Sequence, residues 1–99
     1  MNCRFQSEAR QEYLDAIAYY EQCRLGLGQR FVDEVEEYLT KIREHPDAYA
    51  TIAPEIRSAN LHQFPYAIHF AFDSSEVFII AVAHHSRRPG YWRHRLNPD

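Results

Sequence analysis

The sequence predicts an α+β fold: a helical hairpin packed on a small, mainly antiparallel sheet, in the order β-α-α-β-β-β. Three observations carry this. Two stretches in the first half repeat one apolar spacing of helical period. The segment YAIHFAF (66–72) alternates with period two. The segment EVFIIAVA (76–83) is apolar on both faces, as a covered central strand is.

Taken in order, NCRFQS (2–7) reads as a short strand. Ser7 is placed to cap the first helix, with Glu8 in its first turn favourable to the helix dipole. Ala9, Tyr13, Ala16, Ile17 and Tyr20 then fall on one helical face. Tyr19 must point away from that stripe. The helix is expected to end near Arg24, where LGLG (25–28) supplies a glycine-bearing turn. Phe31, Val35, Tyr38, Leu39 and Ile42 repeat the same spacing, so a second helix shares the first one's apolar surface. Asp33, Glu34, Glu36 and Glu37 occupy its other faces and read as solvated. His45-Pro46 closes it.

DAYATIAP (47–54) reads as a loop and EIRSANL (55–61) as a weak, polar strand. In YAIHFAF, Tyr66, Ile68, Phe70 and Phe72 share one face and Ala67, His69 and Ala71 the other. DSS (73–75) is a hairpin turn into EVFIIAVAHH (76–85). There, Val77, Ile79, Ala81 and Ala83 alternate with Phe78, Ile80 and Val82, so both faces want cover. Two helices cover one. The second cover is either the tail folded back or a partner.

A chain of 99 residues is expected to form one domain, 1–99. With 45% hydrophobic and 25% charged residues, the composition is that of an ordinary globular domain and argues against disorder. No apolar run is long enough to span a bilayer, and the N-terminus carries no apolar signal core. Cys3 and Cys23, far apart and without CxxC spacing, read as reduced, core or half-buried thiols of a cytoplasmic protein. Residues 1–50 hold six basic and ten acidic side chains, and residues 51–99 five and four. Four of those five arginines sit in VAHHSRRPGYWRHR (82–95). One compact basic site on an acidic chain argues against a broad phosphate-binding field, and so against direct sequence-specific nucleic-acid binding.

The tail poses the chemical question. His84 and His85 point to opposite strand faces, with no cysteine or carboxylate beside them in sequence, so no metal centre is expected. No cofactor motif is present. A metal-free ribonuclease needs a base, an acid and a cation for the phosphorane charge. His84 or His85, with Arg57, Arg87 and Tyr91, are the residues that could supply them, and of the two histidines His85 is the candidate. The blander expectation is one histidine packed under the tail and arginines that are solvated or ion-paired. Trp92 reads as a plug at the end of the core with an arginine over its ring. Tyr, Trp and Arg are also the residue types of protein hot spots.

A set of landmarks runs through nearly the whole chain: ARQEYLDAIAYYE (9–21), LGQRFVDEVEEYLTKI (27–42), His45-Pro46, Ile56-Arg57, LHQFPYAIHF (61–70), IIAVAHHSRRPGYW (79–92) and Arg95. In this order they resemble the RelE/ParE superfamily of type II toxins, and most closely its ParE-like, plasmid-stabilisation branch. The resemblance implies a small cytoplasmic toxin neutralised by a co-encoded antitoxin, whose C-terminal segment wraps the toxin in a higher-order assembly. ParE-like members are gyrase poisons without enzymatic activity, whereas RelE-like members cleave mRNA on the ribosome. The single lysine, Lys41, departs from the basic character of the RelE nucleases. His69 departs from the aromatic common at that place in ParE-like chains.

The expectation is therefore a toxin that binds a protein target, DNA gyrase. Arg87, Arg88, Tyr91, Arg93 and Arg95 are its target contacts, and Tyr20, Phe78 and Ile80 its antitoxin contacts. A ribosome-dependent endoribonuclease and a non-toxic interaction module are the alternatives.

Overall fold

Residues 1–96 are described by the structure, a computed structural model. The last three residues of the predicted 1–99 domain lie outside the described residues. Strand β1 (Asn2–Phe5) leads into helices α1 (Ser7–Cys23) and α2 (Leu27–Glu44). Strands β2 (Ala50–Ala53), β3 (Ile56–Asn60), β4 (Tyr66–Phe72) and β5 (Glu76–His84) follow, and a 3-10 turn, Arg93–Leu96, closes the described chain. The sheet order is β1-β5-β4-β3-β2, with β1 parallel to β5 and every other pair antiparallel. The α+β class and the helical hairpin are as expected; the order gains a strand, β-α-α-β-β-β-β.

That strand is β2, expected as loop. It is the outer edge of the sheet, and its first three residues are exposed. Backbone pairing to β3, and not a buried side-chain stripe, makes it a strand. The helix start also differs. Ser7 is already helical, and Gln6 is the cap, its Oε1 accepting the Ala9 N–H at 2.9 Å.

Both helices lie on one sheet face. Ala9 and Ala16 of α1 and Phe31, Val35, Leu39 and Ile42 of α2 close over Ile68, Phe70, Val77, Ile79 and Val82. Helix contact is close at Gly28, where a Cβ would fall 2.8 Å from the Ile17 carbonyl oxygen. Only glycine fits there without moving backbone.

The alternation of β5 is broken once. His69 pairs with Ala81 and Phe70 with Ile79, which leaves Ile80 as an extra residue between them. This β-bulge resets the side-chain phase. Val77, Ile79 and Val82 face the helices, while Phe78, Ile80, Ala81 and Ala83 face the other way. Ala81, Val82 and Ala83 are thus on the faces opposite to those that strict alternation assigns.

Two further expectations are corrected. Glu34 is buried, and its carboxylate accepts the backbone N–H groups of His62 and Gln63 between β3 and β4, the shortest at 2.9 Å. Cys23 is exposed at the end of α1, whereas Cys3 is half-buried as expected. Glu21 makes the same use of a carboxylate as Glu34: it accepts the N–H groups of Gly26 and Gly28, which open α2.

Candidate functional site

The second face of β5 is covered by the chain's own tail. Trp92, at 3% exposure, packs with Ile56, Ile80, Ala81 and Ala83. His69 stands 5.5 Å from its ring. The tail turns at Gly90, whose φ of 76° is the left-handed region that glycine enters freely.

The tail is tied down by a residue that sequence reasoning passed over. Glu12 of α1 accepts Nη1 of Arg95 at 2.9 Å, Nη2 of Arg95 at 3.0 Å and the Tyr91 hydroxyl at 2.6 Å. It also accepts the Val82 N–H at 3.0 Å. Strand β1 pairs with β5 only as far as Ile79, so the Val82 amide needs another partner. Arg95 donates in turn to the Ile80 carbonyl, at the bulge, at 3.0 Å. One ion pair therefore completes the strand edge and anchors the tail. The signal in the sequence was Glu12 lying three residues after Ala9 and four before Ala16, on the face of two alanines small enough to let the sheet approach.

Tyr91 and Arg95 are thus committed internally. The Arg95 side chain is 4% exposed. Burial alone lowers the Arg95 pKa, but its bonds to Glu12 outweigh this and raise it, so the guanidinium is firmly charged. Burial, and then the bond to Glu12, raise the Tyr91 hydroxyl well above its ordinary value. Arg87 is exposed but leans back. Its guanidinium sits 3.8 Å over the Tyr91 ring and 3.9 Å from Glu12. His94 pairs with Glu8 at 3.1 Å.

What the anchored tail presents is a cleft of about 400 Å³ on the sheet face away from the helices. Its floor carries Ser58, Asn60 and His69, and its tail wall His85, Arg88 and Arg93. Among the described residues, no carboxylate lines it. Arg93 sits 5.3 Å over the Trp92 ring. His69 donates to or accepts from Ser58 Oγ at 2.9 Å. Burial pushes its pKa down to about 4, with Glu12 opposing and His85 assisting. It is a neutral imidazole at neutral pH.

Of the four candidate ribonuclease residues, His85, Arg87 and Tyr91 line the cleft and Arg57 does not. Arg57 pairs across the sheet with Phe70, on the helix side, and donates to the carbonyls of Asp47 and Tyr49. The Tyr91 hydroxyl donates a hydrogen bond to Glu12 at 2.6 Å. His84 lines the cleft with His85; its Nδ1 accepts the Ser86 N–H at 3.0 Å. Among the described residues, no three His, Cys, Asp or Glu side chains cluster as metal ligands.

Of the three candidate antitoxin contacts, Tyr20 packs at the core edge, 4.8 Å from the Phe64 ring. Phe78 is half-buried and Ile80 buried.

Fold and site together define a small α+β domain whose helical hairpin and sheet carry an arginine-bearing tail on a fixed mount. The family model described as the ParE toxin of type II toxin–antitoxin system, parDE, matches residues 3–89, and the chain belongs to that family. Among solved structures, a chain of the chromosomal ParDE TA system from P. aeruginosa is similar in fold, with a TM-score of 0.60. The match has 13% sequence identity and covers 85% of this chain and 95% of that one. No curated protein sequence matches.

Proposed function

We propose that the chain acts by binding a protein target through the arginine face of its tail, that this target is DNA gyrase, and that a co-encoded antitoxin neutralises it in the cytoplasm within a higher-order assembly. The observation that carries the reading is the division of labour among the tail arginines. Arg95 is committed to the mount, while Arg88 and Arg93, with His85 beside them, line a cleft with no carboxylate among the described residues. Cations held on a rigid strand end suit a complementary acidic protein surface. Of the expected target contacts, Arg88 and Arg93 lead and Arg87 assists. Tyr91 and Arg95 act by holding them in place.

Against the ribonuclease reading, Arg57 lies away from the cleft and the Tyr91 hydroxyl is bonded to Glu12. Burial raises the pKa of the Tyr91 hydroxyl and lowers that of His69, so neither is suited to general-acid work near neutral pH.

Expression of the chain without antitoxin tests the reading. Growth arrest with intact ribosome-bound mRNA is the expected result. Codon-specific mRNA cleavage, abolished by changing His85 or Arg87, overturns it in favour of the endoribonuclease. Normal growth with folded chain present leaves a non-toxic interaction module.

A further inference from the structure

The arginine cleft is built in three zones that run across the strands. At the sheet edge, Ala50 and Ile52 of β2 line it, and Ile52 is 42% exposed. In the middle, the small side chains of Ser58, Ala67 and Ala83 leave room, and Asn60 and His69 supply neutral polar groups. Nδ1 of His69 meets Ser58 Oγ, so Nε2 is the ring nitrogen left for a ligand. An amide and a neutral imidazole both offer hydrogen bonds without a charge. At the far end stand Arg88 and Arg93 of the tail, which packs back over β5.

Cations at one end, neutral hydrogen-bonding groups in the middle and an exposed isoleucine at the other end match a peptide better than a nucleic acid. A phosphate backbone repeats its charge and draws its affinity from many cations. Here the cations are confined to the tail, and the same sheet face carries a groove rimmed by Glu8 and Glu55. Those carboxylates repel a polyanion that extends beyond the cleft. Strands β2 and β5 are three strand spacings apart in the sheet order, about 14 Å. In an extended chain, side chains four residues apart share a face and stand about 13 Å apart, which nearly spans that width.

Resting on the toxin reading above, we propose that the cleft receives an extended acidic segment of the target. An aspartate or glutamate sits between Arg88 and Arg93, an apolar side chain four residues away covers Ile52, and the backbone between them bonds to Asn60 and His69 Nε2. A helix satisfies its own amides and carbonyls internally, whereas an extended segment leaves them free for these two groups. The arginines supply charge complementarity, and Asn60 and Ile52 set which acidic segments fit.

The test is a titration of the full chain, read by the fluorescence of Trp92. This is its single tryptophan, and its ring lines the cleft with the Arg93 guanidinium over it. The probe is the blocked peptide TDTSTLT, which carries a carboxylate and a leucine four residues apart on one face. It is expected to bind, and the uncharged TNTSTLT to bind about tenfold more weakly or worse. TDTLTST, with the two groups only two residues apart, should be about fivefold weaker. Asn60→Ala and Ile52→Ser should each weaken TDTSTLT about fivefold with Tm unchanged, as loss of one hydrogen bond or one apolar contact does. A folded parent chain that does not bind TDTSTLT, or that binds TNTSTLT equally well, overturns the inference. Hexathymidylate binding more tightly than TDTSTLT gives the cleft to nucleic acid and also overturns it. Gyrase supercoiling measured on the same preparation keeps the two claims apart. Inhibition without peptide binding overturns the inference and leaves the toxin reading standing. Peptide binding without inhibition supports the cleft's specificity and removes gyrase as the target.

Discussion

Glu12 shows how one side chain can join three levels of structure. It sits on α1, completes the edge of β5 at Val82, and holds the tail through Arg95 and Tyr91. Removing it leaves a guanidinium with a 4% exposed side chain without its closest counter-charge. Glu12→Ala should therefore cost about 3–5 kcal/mol, as breaking a buried pair from one side does. Urea unfolding of parent and variant checks this; a loss below about 1 kcal/mol would mean that the pair is solvated, as surface pairs are. His69 carries a pH signature. Its folded pKa of about 4 lies below its ordinary 6.5 because burial disfavours the imidazolium. The unfolded chain then binds the extra proton first, so this contribution is complete above pH 6.5 and is lost as pH falls from 6.5 towards 4. His69→Phe should flatten that part of the stability curve, measured as Tm against pH. An identical acid limb in parent and variant would assign it to other groups. Neither Glu12 nor Glu34 was legible as structural, because a lone carboxylate on a helix has the same sequence appearance whether it faces water or a backbone amide. The burial of Arg95 was hidden for the same reason.

The elements differ in how plainly the sequence announces them. Strand β4 matches YAIHFAF residue for residue, because one buried face and one half-covered face produce clean alternation. Strand β2 announces nothing: its order comes from ladder bonds to β3 at the sheet edge. The bulge at Ile80 was equally silent, since an apolar run on both faces has no phase to break. The tail, too, is an ordered element. Its Arg93 and Arg95 amides donate to Gly90 and Trp92 carbonyls, and Trp92 is buried. Amide exchange should therefore protect Arg93 and Arg95 well above the exposed Thr51 and Ile52 of β2. Tail amides that exchange like a free loop would contradict this. Trp92→Ala should cost about 3–5 kcal/mol. Growth arrest should be lost with it, because the arginines lose their mount. A variant as stable as the parent but inactive would make Trp92 a contact residue.

At the scale of the whole molecule, an acidic chain carries one cationic cleft. Much of its acid is structural: Glu12, Glu21 and Glu34 each accept backbone amides. The sheet face away from the helices carries two depressions of opposite character, the arginine cleft and a groove rimmed by Glu8 and Glu55. The family resemblance was legible as an ordered set of landmarks across the chain. The separation of these two surfaces was not, because it depends on which tail residues turn inward. Among the described residues, no helix is long and apolar enough to cross a membrane. The direct measurement is gyrase supercoiling with purified, antitoxin-free chain. The parent should inhibit it. Arg88→Ala/Arg93→Ala, which leaves the mount intact, should keep its Tm and lose inhibition roughly 30-fold or more, as loss of hot-spot side chains does. Undiminished supercoiling in the presence of folded parent chain, or equal inhibition by the double variant, would contradict a protein target held by the arginine face.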